Sequence, residues 1–113
     1  MSSEAAHPPG RLVITSEQDA ETARLTLEGE LDLASSVQVE EQLKALEAAR
    51  PARIVIDLGG LAFIDSTGLR TLIQADQRAR GSGSELVLRP GDESIQRVFE
   101  LTGALDVLHF EVA

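Results

Sequence analysis

The residues best placed for chemistry are Asp65-Ser66-Thr67-Gly68, which sit between an apolar stretch, Leu61-Ala62-Phe63-Ile64, and a helical stripe of Leu69, Leu72 and Ile73. This order puts a serine at the first turn of a helix, with its hydroxyl expected to face solvent. Asp and Ser are strong helix caps because their oxygens accept from main-chain amides that lack a partner inside the helix. One reading of the tetrad is therefore architectural. A second is compatible with it: a hydroxyl at a helix start is where an added phosphate is best tolerated, since free amides and the positive helix end favour the charge. That favourable term is about 0.3–1 kcal/mol when exposed and up to about 2 when partly buried. The same phosphate adds about −1.5 to −2 charges, and burying an unpaired charge in an interface costs several kcal/mol. A loss of about 4 kcal/mol is roughly a thousandfold in affinity. Phosphorylation here should dissolve a complex before it unfolds the protein.

Other catalytic sets are incomplete. A serine hydrolase would pair Ser66 with His109, but the G-x-S-x-G elbow is missing and His109 lies in the apolar pattern of a terminal strand. An aspartic-protease dyad would need a second carboxylate matched to Asp65. A carrier protein with a phosphopantetheine arm on Ser66 would be helical, whereas Arg53 to Leu58 and Leu86 to Leu88 are poor helix material. With no Cys, and with His7 and His109 far apart, neither a thiolate nor a histidine metal site is indicated. The acidic row Glu28, Glu30 and Asp32 is explained by the polar face of a strand rather than by a cation. We therefore expect no catalytic residue, no metal and no cofactor.

The chain of 113 residues is the size of one domain. Apolar residues make up 42% and charged residues 26%, a balance that favours a folded, soluble protein over disorder. Three Phe and no Trp or Tyr require an aliphatic core and leave no base-stacking platform. A formal charge of −9 repels a polyphosphate backbone, so nucleic acid is excluded as a direct partner. No apolar run reaches the roughly 20 residues needed to span a bilayer, and MSSEAAHPPG has no secretion-signal pattern. A cytoplasmic location without membrane contact is expected. Residues 1–10, with Pro8, Pro9 and Gly10, read as a short mobile tail, and 11–113 as the domain.

The elements that must position Ser66 follow from periodicity. Leu12-Val13-Ile14 and a polar turn at Glu17 to Ala20 lead into an alternating segment from Arg24 to Leu33 and predict a hairpin. In that segment Leu25, Leu27, Leu31 and Leu33 share one face with Gly29. Val39, Leu43 and Leu46 then recur at helical spacing, which predicts helix one over 36–49, with Ser35 and Gln38 as a capping box and Pro51 as its stop. Arg53 to Leu58 reads as a central strand closed by Gly59-Gly60. Helix two is expected over 67–80 with Gly81 as its left-handed cap. Leu86 to Leu88 is a buried strand, and Pro90-Gly91-Asp92 begins a third helix with Ile95, Val98 and Phe99 inward, capped by Gly103. Val107 to Phe110 is a last strand. The order ββαβαβαβ defines an α/β fold with a mixed, mostly parallel sheet, a starting antiparallel hairpin and crossover helices. Sequential strands are expected to be neighbours.

Several blocks together resemble the STAS domain, in particular the small single-domain anti-sigma-factor antagonists. They are Gly29-Glu30-Leu31-Asp32, Ile54-Val55-Ile56-Asp57-Leu58, Phe63-Ile64-Asp65-Ser66-Thr67-Gly68-Leu69 and Leu101-Thr102-Gly103. The resemblance covers about residues 11 to 111. It implies a bacterial partner-switching component that binds an anti-sigma factor and so frees a sigma factor for transcription. It also implies that the anti-sigma factor is a serine kinase that uses ATP and Mg2+, and that a phosphatase reverses the modification. Carried over residue by residue, Ser66 is the phosphate acceptor, with Thr67 as its alternative. Asp32, Asp65, Ser66, Thr67, Gly68 and Leu69 form the partner-binding surface, with Asp32 close to the acceptor. Arg70 stands where many relatives have a small residue, a departure at the kinase contact. A second expectation from the same resemblance is a STAS scaffold subunit, in a signalling assembly or on the ATPase of a lipid transporter.

Overall fold

The computed structural model describes residues 11–111; the expected tail, 1–10, lies outside them, as do 112 and 113. Seven main elements follow one another: β1 (Leu12–Gln18), β2 (Thr22–Leu31), α1 (Leu33–Glu47), β3 (Arg53–Ile64), α2 (Ser66–Ser82), β4 (Glu85–Arg89) and α3 (Glu93–Thr102). The strands lie in the order β1-β2-β3-β4, with the first pair antiparallel and the others parallel. The α/β class, the starting hairpin and the sequential neighbours are therefore all present.

The core is aliphatic, as the composition requires. Buried residues of all three helices, among them Val39, Leu43, Leu72, Ile95 and Phe99, join one cluster with Leu25, Leu27, Ile54, Ile56 and Leu88. The helices thus share one face of the sheet. The other face alternates with it: Val55 and Val87 are buried there, and the ion pairs of Arg89 with Asp57 (3.6 Å) and Glu111 (3.3 Å) surround them. Burial on both faces explains the near-continuous apolar run of β3. Between α1 and α2, Arg78 donates to Glu40 (2.8 Å) and Glu47 (3.0 Å). The Glu47 partner chiefly holds its guanidinium above the ordinary arginine value.

The structure corrects several boundaries. The first turn falls at Asp19 to Glu21, because β1 continues to Gln18 and the Asp19 carboxylate accepts from the amides of Glu21 (3.0 Å) and Thr22 (2.8 Å). Helix one starts three residues early, with Asp32 as its cap and Ser35 as the reciprocal partner of that cap. Leu33 accordingly leaves the strand alternation and is 70% exposed at the start of α1. Gly59-Gly60 does not close β3, which runs on to Ile64 with two register shifts against β2. These shifts are bulges on the β3 side, and they let the chain absorb extra residues without leaving the sheet. α2 extends to Ser82, and its left-handed cap is Gly83 at φ 81° rather than Gly81. The expected last strand reduces to one parallel bridge, Leu88 to Phe110, preceded by a 3-10 turn at Ala104–Asp106.

Candidate functional site

Two adjacent parallel strands, β2 and β3, end level with each other at Leu31 and Ile64. Each is followed by an aspartate and then by a helix, so the N-termini of α1 and α2 emerge side by side at one end of the sheet.

The two aspartates hold this corner in place. The Asp32 carboxylate accepts from the amides of Ala34 and Ser35, both at 3.1 Å, while Ser35 Oγ accepts from the Asp32 amide at 2.9 Å. Asp65 Oδ1 accepts from the Gly68 amide at 2.9 Å, and Oδ2 accepts from the Leu33 amide at 3.1 Å. The Asp65 amide in turn donates to the Leu31 carbonyl at 3.1 Å. One carboxylate thereby caps its own helix and ties it to the first residue of the neighbouring one. Capping serves the amides that a helix start leaves unpaired.

Ser66 is the first residue of α2 and is exposed. Thr67 is half-buried. Gly68 is buried, and a Cβ built on it would lie 2.7 Å from both Cγ and the carbonyl oxygen of Leu31. Only a glycine lets α2 approach the end of β2 this closely. Leu69 is 8% exposed and belongs to the core cluster. The structure thus brings Asp32, Asp65, Ser66 and Thr67 to one corner, and places Gly68 and Leu69 beneath it. In that position they set the height and angle of the serine.

Sequence reasoning missed the apolar part of this corner. Leu33 (70% exposed), Val37 (60%) and Phe63 (48%) project near the two helix starts. Leu33 and Val37 are one helical turn apart on α1, and Val37 borders a groove shared with Thr71 and Gln74 of α2. For Val37 the signal was present in the sequence: it falls outside the Val39, Leu43, Leu46 stripe, so it had to face solvent.

The hydrolase pairing fails on geometry. His109 lies beside Asp76 and Arg80 in the second half of α2. Arg80 is fourteen residues beyond Ser66, about 21 Å along a helix that rises about 1.5 Å per residue. Among the described residues, no three His, Asp or Glu side chains converge on a point that would hold a metal ion. No helix among them is long and apolar enough to cross a membrane.

The fold and this corner define a STAS domain. The family model STAS_2, described as Mlab, STAS domain, matches residues 14–109, and the chain belongs to that family. Within it the chain falls among the anti-sigma-factor antagonists, which are regulatory binding proteins. It is 30% identical over 95 residues to an anti-sigma-B factor antagonist of Listeria monocytogenes, covering 84% of this chain and 83% of the relative. The fold is similar to that of an anti-sigma factor antagonist from Mycobacterium paratuberculosis (TM-score 0.79, 23% identity, 96% of this chain and 92% of that one). It is also similar to the Bacillus cell fate determinant SpoIIAA in its phosphorylated form (TM-score 0.68, 19% identity, 88% of this chain and 92% of that one).

Proposed function

We propose that this protein acts in the cytoplasm as an anti-sigma-factor antagonist whose Ser66 corner docks on an anti-sigma factor and releases it when Ser66 is phosphorylated. The observation that carries this reading is an exposed serine hydroxyl at the first position of α2, beside the N-terminus of α1, in a chain of this family. Asp32, Asp65, Ser66 and Thr67 form the polar part of the docking surface, and Leu33, Val37 and Phe63 its apolar part. Gly68 and Leu69 support it from below. Thr67, half-buried, is the poorer acceptor.

In the phosphorylation step, Ser66 Oγ attacks the γ-phosphorus of ATP held with Mg2+ by the partner kinase. ADP departs, and the hydroxyl proton passes to a base of the kinase. The product carries about −1.5 to −2 additional charges at a position the helix end tolerates, so the domain stays folded. In the complex the same charge is buried without an opposite charge to pair with and costs several kcal/mol. A phosphatase restores the hydroxyl.

The test combines the purified protein with its candidate anti-sigma factor and ATP, and compares the parent with Ser66→Ala and Ser66→Glu. Phosphate is expected on the parent only. Ser66→Ala should bind and stay bound, and Ser66→Glu should bind weakly. Equal binding by both variants, with no phosphate on the parent, would overturn the switch. The Mlab description of the matched family model favours one second reading, a STAS subunit held in a larger assembly such as a lipid-transporter complex. Recovery of an ATPase rather than an anti-sigma factor in a pull-down would select it.

A further inference from the structure

The two edges of the sheet are treated differently. The outer side of β4 is covered by the chain itself, for the Leu88 amide donates to the His109 carbonyl and the Glu111 amide to the Leu88 carbonyl, both at 2.8 Å. β1 borders only β2. Natural edge strands are usually blunted by Pro, Lys, a bulge or short length. β1 is seven residues long, Leu-Val-Ile-Thr-Ser-Glu-Gln, runs in unbroken register with β2, and has a single charged side chain, Glu17.

The main-chain directions of this edge are known. The Arg11 carbonyl accepts from the Glu30 amide at 2.9 Å, and the Asp19 amide donates to the Thr22 carbonyl at 3.0 Å. Odd-numbered residues therefore face β2, and Leu12, Ile14, Ser16 and Gln18 turn their amides and carbonyls outward. Among the described residues those groups have no further main-chain partner.

We propose that this edge pairs antiparallel with β1 of a second copy of the chain, with Ile14 on the two-fold axis. Ile14 then faces Ile14 and Leu12 faces Ser16, which forms about six main-chain hydrogen bonds from outward groups alone. The side-chain pairing selects this register. On the face away from the helices, Val13 meets Thr15 and Arg11 meets Glu17, each twice by symmetry. Arg11 and Glu17 are exposed and have no ion pair among the described residues. A register centred on Thr15 would instead set Arg11 against Asp19, whose carboxylate is already taken by the amides of Glu21 and Thr22. It would also leave Glu17 against Val13. Of these two registers, the one centred on Ile14 matches free charges and brings the partly buried apolar residues Leu12 and Ile14 together across the new seam. The product is a continuous eight-stranded sheet that leaves both Ser66 corners uncovered.

Sedimentation equilibrium of the full chain tests this. A monomer–dimer equilibrium is expected. Glu17→Arg and Arg11→Glu should each weaken the dimer about tenfold, since opposed like charges replace cross-strand pairs. The double variant should restore it. Ser16→Pro, which removes an outward amide and spares the β2 ladder, should also weaken the dimer while the circular dichroism spectrum stays unchanged. Ser66→Glu should leave the dimer intact. A monomer at every concentration would overturn the proposal. So would charge reversals without effect, a double variant no better than the single ones, or a dimer lost with Ser66→Glu.

Discussion

The main-chain amide of Leu33 donates to Oδ2 of Asp65 at 3.1 Å, and so couples the first residue of α1 to the cap of α2 across 32 positions of sequence. Oδ1 of the same side chain serves the Gly68 amide. Asp65→Ala removes both bonds and should cost about 2 kcal/mol in urea unfolding. Asp65→Asn can keep the Gly68 cap through its carbonyl oxygen, but its amide nitrogen cannot accept from Leu33. Its cost should be about 1 kcal/mol. An Asp65→Asn variant as stable as the parent would mean that the bond between the helices contributes nothing.

Glycine substitutions should separate two kinds of position on α2. Gly68→Ala forces a methyl to within 2.7 Å of Leu31 and should destabilise by about 1–3 kcal/mol, with α2 tilted away from β2. At Gly81 a Cβ meets nothing within 4 Å, so Gly81→Ala should stabilise by about 0.4–1 kcal/mol through the unfolded chain. Thermal denaturation of the pair checks both signs.

Ser66→Asp places a negative charge at the first position of α2. The melting temperature should hold or rise slightly, by the equivalent of about 0.3–1 kcal/mol. A marked loss of stability would show that charge at this corner acts through unfolding rather than through docking.

Leu33 and Val37 are exposed apolar side chains with no role in the core. Leu33→Ser and Val37→Ser should leave unfolding within about 0.5 kcal/mol of the parent. Binding to the anti-sigma factor, read by calorimetry, should weaken about tenfold or more for whichever side chain anchors the contact.

Asp92 caps α3 and accepts from the amide of Ile95 (3.0 Å) and the hydroxyl of Ser94 (2.8 Å). The Ile95 amide, followed by Ser94, holds its carboxyl below the ordinary aspartate value. Its contribution to stability is therefore complete above the ordinary value and is lost as pH falls through the lowered one. Asp92→Asn keeps an accepting oxygen without a titrating group. Between about pH 5 and about pH 3 its melting temperature should fall less steeply than the parent's.

Much of this was legible from periodicity and cap chemistry. The alternation of Leu25, Leu27 and Leu31, the stripe Val39, Leu43, Leu46 and the apolar run of β3 each identify their element, because burial imposes a period of 2 or 3.6. What escaped depends on contacts between distant segments. Asp32 fits a strand face and a helix cap equally well, and only the chain's turn after Leu31 decides between them. Gly59-Gly60 carries the local signal of an ending, yet the ladder with β2 holds it inside β3 through bulges. His109 and Phe110 have strand composition, but the segment joins β4 only through the Leu88–Phe110 bridge. At the site, the exposed hydroxyl and the capping Asp65 follow from residue type, whereas the bond to Leu33 requires the packed structure.

With Gly68 wedged against Leu31 and both caps satisfied, the corner around Ser66 has little room to deform. A message written there would change the protein's electric signature and hardly its outline. Isoelectric focusing or a native gel would tell the two forms apart where scattering profiles would overlay, and a cellular reader would have to touch that spot to know which form it had met.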